Sequence, residues 1–190
     1  MMKFSLALVF AVAGSTCLAA DDFQAEMQSY LEDSIAQWAT APELIAAIAA
    51  QNAETANYTQ DQIDHMDSQW RGEVGTAYQP MVDAVIGNEA ADILRDMVAA
   101  SGGAITEAFI MDAAGLNVAA SVPTSDYWQG DEAKHIKTYR IGAGAVHFGE
   151  IEYDNSTETV QGQISLTISD TATGEPIGAM TVGIDMMALL

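Results

Sequence analysis

The sequence predicts an α+β fold, with helices in the first part of the chain and a five-stranded antiparallel sheet in the second. Up to Gly102 and Gly103, apolar residues recur at about the 3.6-residue period of an amphipathic helix. After these glycines, apolar and polar residues alternate, which is the period of a half-buried strand. Since the two periods occupy separate stretches, residues 23–101 and 104–187, helices and strands should segregate.

The helical part divides into a first helix, a long second helix and a shorter third one. Residues 23–38 carry apolar side chains every three or four positions. Thr-Ala-Pro-Glu at 40–43 resembles a capping box with proline in the first turn, and the helix that it starts would reach Gly72, either unbroken or kinked near Asn57. Asn88 is a good N-cap for the third helix, which Ser-Gly-Gly ends.

The five predicted strands have the sequences AITEAFIM, LNVAASV, GAVHFGEIEY, VQGQISLTIS and IGAMTVGID. Asp-Ala-Ala-Gly at 112–115 is predicted to turn between the first two, and a polar turn at 154–158 to join the third to the fourth. The fourth strand alternates most clearly and places Gln163 and Ser165 on its polar face. Such a face is polar either because it meets water or because it forms the floor of a pocket.

The first twenty residues have the layout of a secretory signal peptide, with a positive start at Lys3, a short apolar run and small residues up to Ala20. We therefore expect export to the periplasm, cleavage near Ala20 and a single domain over residues 21–190. Cys17, the one cysteine, would leave with the peptide, so we expect no disulfide, thiol nucleophile or Cys-ligated metal.

The chain is strongly acidic, with 27 acidic residues, six basic ones and a formal net charge of −21. Nucleic acids and anionic membrane surfaces both require a basic footprint, so they are excluded as partners. Solubility is the simplest explanation of this acidity.

The irregular segment 123–144 is the most informative part of the sequence. Structureless connections longer than about 12–15 residues are often lids or binding loops. Its core, TSDYWQGDEAKHIKTYR, combines aromatic residues with Lys134, Lys137 and Arg140, three of the six basic residues of the chain. We therefore expect the 123–144 loop to cover a small-molecule pocket.

Each feature of this loop has a structural and a functional interpretation. Tyr127 and Trp128 either plug the edge of the core or wall a ligand, and in an extended segment only one of them can face the pocket. Lys134 and Arg140 either form ion pairs with neighbouring carboxylates or fix a ligand carboxylate. Gly130 is expected to supply a backbone conformation that other residues resist.

Several further polar residues are candidates for ligand contacts. Asp131 would cap a turn or anchor an amino group, and Asp185 is a charge so close to the apolar core that it needs a partner. The full set of predicted ligand-binding residues is Thr124, Asp126, Tyr127, Trp128, Gln129, Asp131, Lys134, Tyr139, Arg140, Gln163, Ser165 and Asp185.

Other chemistries lack a motif. His65, His135 and His147 do not have metal-ligand spacing, and the sequence contains no haem-attachment motif, nucleophile elbow or phosphate-binding loop. We therefore predict no catalytic residue, no metal and no cofactor, and expect that the protein is not an enzyme.

One family resemblance emerges from the order of these segments. A long helix, a helix ending in Ser-Gly-Gly, then ITEAFIMDAAGLNVAASVPTSDYWQGDEAKHIKTY and EPIGAMTVGIDMMAL, resembles the Cache (PDC-type) sensor domains, relatives of the PAS fold. The resemblance implies a ligand held between one face of a five-stranded sheet and the loop after its second strand. Organic acids, amino acids and amines are typical ligands of that family.

The resemblance also implies a function. Family members usually feed a kinase, a chemotaxis receptor or a cyclase, and because no transmitter follows here we expect a free-standing periplasmic sensory module. It would present its ligand-bound state to a membrane receptor or kinase, and the long helix would serve as a homodimer contact. The alternative is a periplasmic interaction protein that works through its helices and has a vestigial pocket.

Overall fold

The computed structural model of the protein describes residues 15–154 and 159–189. The helices are α1 (Ser15–Tyr30), α2 (Pro42–Thr55), α3 (Gln60–Glu73), α4 (Pro80–Ile86), α5 (Glu89–Ala100), α6 (Ala133–Ile136) and α7 (Met186–Leu189). A π-helical turn, Leu31–Ile35, and a 3₁₀ turn, Ala36–Thr40, join α1 to α2. None of the helices in these two ranges combines the length and the apolar character that a membrane crossing requires.

The strands are β1 (Ile105–Met111), β2 (Asn117–Ala120), β3 (Val146–Phe148), β4 (Glu152–Asp154), β5 (Thr159–Ser169) and β6 (Pro176–Asp185). They form one antiparallel sheet in the order β2-β1-β6-β5-β3, and β4 also pairs with β5. The α+β prediction is therefore confirmed. Most of the predicted signal peptide, and the turn predicted at 154–158, lie outside the described residues, and α1 continues through the predicted cleavage point at Ala20.

The predicted long helix is two helices, which was the kinked alternative. The chain breaks between α2 and α3, and Thr59 starts α3 with a complete capping box, in which its hydroxyl accepts from the Gln62 N–H and its own N–H donates to the Gln62 side chain. The capping box predicted at Thr40 is wrong. Thr40 belongs to the preceding 3₁₀ turn, and Ala41 is the N-cap, followed by Pro42 in the first turn as expected.

The third predicted helix is confirmed as α5, because the Asn88 side chain caps it by accepting from the Ala91 N–H at 2.9 Å. The short helix α4 was not predicted. Its buried apolar positions, Val82 and Val85, are too few to establish a period in the sequence.

The sheet has six strands instead of five, because the predicted third strand is split into β3 and β4. Phe148 pairs with Ile164 and Glu152 pairs with Gln161. A separation of four residues on the β3–β4 side therefore corresponds to a separation of three residues on β5. One extra residue in the 149–151 link is the signature of a β-bulge. Within this link the Gly149 N–H donates to the Gln163 carbonyl at 2.8 Å.

The two faces of the sheet are covered differently. The alternation predicted for the fourth strand is confirmed on β5, where Ile164, Leu166 and Ile168 join the main core beneath the helices. The opposite face has a second, smaller core beneath α3, α4 and the 123–144 loop, which contains Phe109, Met111, Tyr127 and other apolar residues. The rest of that face carries polar residues and is only partly covered.

Candidate functional site

A cavity of about 890 Å³ lies on the partly covered face of the sheet, between the strands, α6 and the β3–β4 link. It opens where the second core ends, so the protein's own side chains leave this space free. Its lining residues are Glu107, Glu132, Lys134, Gly149, Glu150, Glu152, Tyr153, Gln161, Gly162, Gln163 and Gly183.

A row across three neighbouring strands forms the floor of this cavity. Glu107 on β1 pairs with Gly183 on β6, which pairs in turn with Gln163 on β5. Gln163 Nε2 donates to Glu107 Oε1 at 3.4 Å. A Cβ atom at position 183 would come within 2.8 Å of the Glu107 Cγ atom, so glycine leaves the space that the Glu107 side chain occupies.

Glu107 was missed by the sequence analysis, although a carboxylate inside the apolar strand ITEAFIM was the available signal. Burial raises the pKa of its side chain, while the nearby Lys134 charge and the hydrogen bond from Gln163 act in the opposite direction. Glu107 is partly buried, and a partly buried carboxylate that lacks a full counter-charge favours a cation beside it. Of the groups on the cavity floor, the Glu107 carboxylate would therefore be stabilised most by a positively charged ligand.

Lys134, which the sequence analysis predicted as a contact, lies on α6 at the rim of the cavity with 16% of its side chain exposed. Its Nζ is 3.0 Å from Glu132 Oε2 and donates to Gln129 Oε1 at 3.1 Å. The same ammonium lies 5.4 Å from the centroid of the Phe109 ring, within the range of a cation–π contact. Lys134 is thus held in place by the protein before any ligand arrives.

The cavity is acidic. Its lining contains four carboxylates, Glu107, Glu132, Glu150 and Glu152, against the single ammonium of Lys134. This imbalance gives the cavity a negative potential, which low-dielectric walls strengthen.

A smaller recess of about 240 Å³ continues from the cavity along β3 and shares part of its lining. It adds Lys137, His147 and Ser165 to that lining. The pKa of His147 is lowered by burial and by the positive charge of Lys137. The two regions together therefore have an acidic main compartment and a more basic end.

The aromatic pair of the loop lies away from the main cavity. Asp67 on α3 holds both residues, since its Oδ1 accepts from the N–H groups of Tyr127 at 2.9 Å and Trp128 at 3.1 Å. Tyr127 is buried with its ring 5.5 Å from the Trp70 ring, and burial raises its pKa above the usual range. Trp128 donates from Nε1 to the Ala114 carbonyl at 2.9 Å. The two side chains therefore fasten the loop to the second core.

Three more predicted contacts form a hydrogen-bond network within the loop. The Asp126 carbonyl accepts from Thr124 Oγ1 at 2.7 Å, Gln129 Nε2 at 2.7 Å and Asn117 Nδ2 at 2.9 Å. The Asp126 carboxylate lies 3.1 Å from Arg71 Nη1 on α3. With Trp128 and Asp131 it lines a separate recess of about 250 Å³ beside α3.

The remaining predicted contacts have structural partners. Tyr139 stacks on His135 at 5.1 Å, and Arg140 Nη2 donates to the Gly130 carbonyl at 2.6 Å. Ser165 exchanges a 3.0 Å hydrogen bond with Thr181, and Asp185 accepts from the Met187 N–H at 2.9 Å, which supplies the partner that its position requires. Of the predicted set, Lys134 and Gln163 line the cavity and Ser165 lines the adjoining recess.

Gly130 was predicted for its backbone conformation, and this is wrong: it is absent from the glycines that adopt a positive φ. Its role is to leave space, because a Cβ atom there would lie 2.3 Å from Trp128 Nε1 and 2.6 Å from the Ala114 carbonyl. Gly130→Ala should therefore separate these two groups and lower the free energy of unfolding by about 1–3 kcal/mol, as overpacking does. Urea unfolding measures this loss.

Gly72→Ala is the control for that experiment. A Cβ atom at Gly72, within α3, meets nothing within 4 Å, so this variant should be as stable as the wild type or slightly more stable. Wild-type stability in Gly130→Ala would contradict the close approach.

In the described part of the chain, no group of three or more His, Cys, Asp and Glu side chains is placed to hold an ion.

No family model and no curated protein matches this chain. Among solved structures, the chain is similar to the ligand-binding domain of the Campylobacter jejuni chemoreceptor Tlp3 in complex with 4-methylisoleucine, at 11% identity and a TM-score of 0.42, over 88% of this chain and 61% of that one. It is also similar to the sensor domain of the V. cholerae histidine kinase DctB, at 14% identity and a TM-score of 0.34, over 91% and 55%.

A third similar structure is the ligand-binding domain of the Pseudomonas aeruginosa amino acid chemoreceptor PctC in complex with GABA, at 12% identity and a TM-score of 0.41, over 77% of this chain and 62% of that one. The chain thus spans less than two thirds of the length of each of these structures.

Proposed function

We propose that the protein is an exported sensory module that binds a small amine-bearing molecule in the cavity on the polar face of the sheet. The observation that carries this proposal is the acidic lining, in which Glu107 occupies the floor with its pKa raised by burial. A ligand ammonium beside Glu107 stabilises the ionised carboxylate and completes a charge-assisted hydrogen bond in a partly desolvated site.

The adjoining recess extends the possible ligand class to molecules that also carry an acidic group. Lys137 and His147 line this recess. A ligand carboxylate there would meet the ammonium of Lys137 and the imidazole of His147, while the amine would face Glu107. An anion without an amine would instead encounter the four carboxylates of the main cavity.

The signalling step follows from the position of α6. Lys134 on α6 and Gln163 on the sheet face the same cavity, so a ligand between them stabilises the closed arrangement of the 123–144 loop. A membrane receptor or kinase that binds the closed form more tightly than the open form would respond to the presence of the ligand. Export by the predicted signal peptide would place the module beside such a partner.

A matched series of four-carbon compounds tests the ligand class. We expect 1,4-diaminobutane, n-butylamine and 4-aminobutyrate to raise the melting temperature, whereas butyrate and n-butanol should leave it unchanged. A ligand at about one hundred times its Kd adds about 2.7 kcal/mol, which corresponds to a shift of several degrees in a domain of this size. Sodium chloride at matched ionic strength is the control for nonspecific screening of an acidic protein.

Stabilisation by butyrate alone would contradict the proposed ligand class. If no member of the series binds, and the protein sediments as a stable dimer, the interaction-protein alternative is favoured instead. The feature that supports this alternative is a shallow hollow of about 380 Å³ on α3, lined by Tyr58, Asp61, Gln62, His65 and Met66.

A further inference from the structure

The helix α6 carries two neighbouring residues that lie on different sides of it. Lys134 lines the cavity, whereas His135 is buried, with 1% of the residue exposed. Since α6 has only four residues, Ala133–Ile136, anything that displaces His135 also displaces Lys134. The anchoring of His135 therefore decides whether this wall of the cavity is in place.

The contacts of His135 suit a neutral imidazole. Its Nε2 lies 3.3 Å from the Asp112 carbonyl oxygen, which can only accept, so Nε2 carries the hydrogen. Nδ1 is buried and makes no hydrogen bond within the described residues. A second proton would therefore sit on a buried atom that makes no hydrogen bond in this geometry, and burial of such a charge is costly. The Gly130 carbonyl, whose backbone favours the protonated ring, already accepts from Arg140 Nη2.

The charged and titratable groups around the ring do not remove this cost. Burial is the largest influence and lowers the pKa of His135, and the Arg140 charge lowers it as well. The Asp112 carboxylate, on the β1–β2 turn, acts in the opposite direction, as do the backbone groups of Asp112 and Gly130. The Asp112 carboxylate already accepts hydrogen bonds from its own turn and from α2, and Tyr139 contributes a stacked ring.

We propose that His135 is a positioning residue for the cavity: its neutral side chain anchors α6 and Lys134, and its protonation releases α6 and opens the cavity. The ligand-release part of this inference rests on the proposed function, whereas the release of α6 does not. The protein would thus hold an amine-bearing ligand at neutral pH and lose it in acid.

The direction of the effect follows from proton linkage. The ordinary pKa of a histidine is 6.5, and the pKa of His135 in the closed form lies below it. When α6 moves away, the ring returns to the ordinary value. The open form therefore binds the proton more readily. Above pH 6.5, His135 does not affect the closed form. Below that pH, the equilibrium constant for closure falls by at most about tenfold per pH unit, since one proton is involved, until the pH reaches the lowered pKa of the closed form.

Hydrogen exchange in the ligand-free protein tests the release of α6. After correction for intrinsic rates, residues 129–140 should lose protection between about pH 7 and about pH 5, the range of histidine protonation. His135→Phe preserves a buried ring beside Tyr139 but cannot take a proton, so it should remove this pH dependence. His65→Gln, on the exposed side of α3, should retain it.

If His135→Phe fails to fold, the wild-type protein still decides the matter. NMR titration of the His135 ring should give a pKa below 6.5, and protection in residues 129–140 should fall as the pH decreases from 6.5 towards that pKa. Protection that stays constant while the ring titrates, or a loss of protection that persists unchanged in His135→Phe, would overturn the proposal.

Binding of 1,4-diaminobutane tests the consequence for the cavity. Both of its amines stay charged below about pH 8, because amines of this kind have pKa values near 10. Its affinity should fall in acid for the wild type and for Glu107→Gln, and the part of this fall that is due to His135 should vanish in His135→Phe. If 1,4-diaminobutane binds at no pH, the proposed function fails, while the exchange experiment still decides the role of His135.

Discussion

Replacing Asp112 with alanine should lower the free energy of unfolding by about 3–5 kcal/mol, because it leaves several buried donors unpaired. Asp112 is fully buried at the turn between β1 and β2. Its Oδ1 accepts from the N–H groups of Ala114 and Leu116, each at 2.9 Å. Its Oδ2 accepts from Gln51 Nε2 at 3.1 Å and Thr55 Oγ1 at 2.9 Å, both on α2. One carboxylate therefore joins the hairpin to the helical layer.

Urea unfolding of Asp112→Ala and Asp170→Ala measures this effect against a matched control. Asp170 also accepts from two backbone N–H groups, those of Ala172 at 2.8 Å and Thr173 at 2.9 Å, but in the solvent-accessible turn between β5 and β6. Water can replace the lost partner there, so the control should lose much less stability. Equal losses in the two variants would show that burial of the Asp112 network is not what stabilises the fold.

Replacing Glu107 with glutamine should weaken the binding of 1,4-diaminobutane by about 10–100-fold, since a charge-assisted hydrogen bond contributes roughly 1.5–3 kcal/mol. The change retains the shape of the side chain and its contact with Gln163. The pKa of Glu107 is raised above 4.5 in the free protein, and a bound ammonium would lower it. Wild-type affinity should therefore decline as the pH falls through the raised pKa, and this component should be absent from Glu107→Gln.

Isothermal titration calorimetry of Glu107→Gln and Glu175→Gln separates a local contact from the effect of net charge. Glu175 is exposed in the turn before β6, so its substitution changes the charge of the protein equally but leaves the cavity intact. We expect wild-type affinity in Glu175→Gln. A similar loss in both variants would mean that long-range attraction, and not the cavity floor, accounts for amine binding.

The division into helices and strands could be predicted because it depends on local periodicity and on turn residues. The alternation around Ile164 and the turn that ends at Gly115 are contained in short stretches of sequence. The bulge between β3 and β4 could not be predicted, since an extra residue is recognised only by comparison with its partner strand. The break before Thr59 was open between two alternatives, which the capping box at that residue now explains.

The candidate site was predicted only in part, because its geometry depends on contacts between distant residues. Asp67 binds the backbone at Tyr127 from a helix about 60 positions earlier, and no local pattern reveals that partner. The aromatic pair drew attention to this loop, but Tyr127 and Trp128 attach the loop to the second core. Lys134, which was predicted as a ligand contact, lines the cavity together with Glu107, which was hidden in a strand that was analysed for its apolar alternation.

Gly183 gives the sheet a further property. It lies on β6, a strand that is paired on both sides, and it contributes main chain alone to the middle of the cavity floor. At this point the main chain itself forms the floor, and the Glu107 side chain occupies the space that a Cβ atom would take. Molecules would be sorted by their fit to this surface, while their departure would be governed by the proposed release of α6.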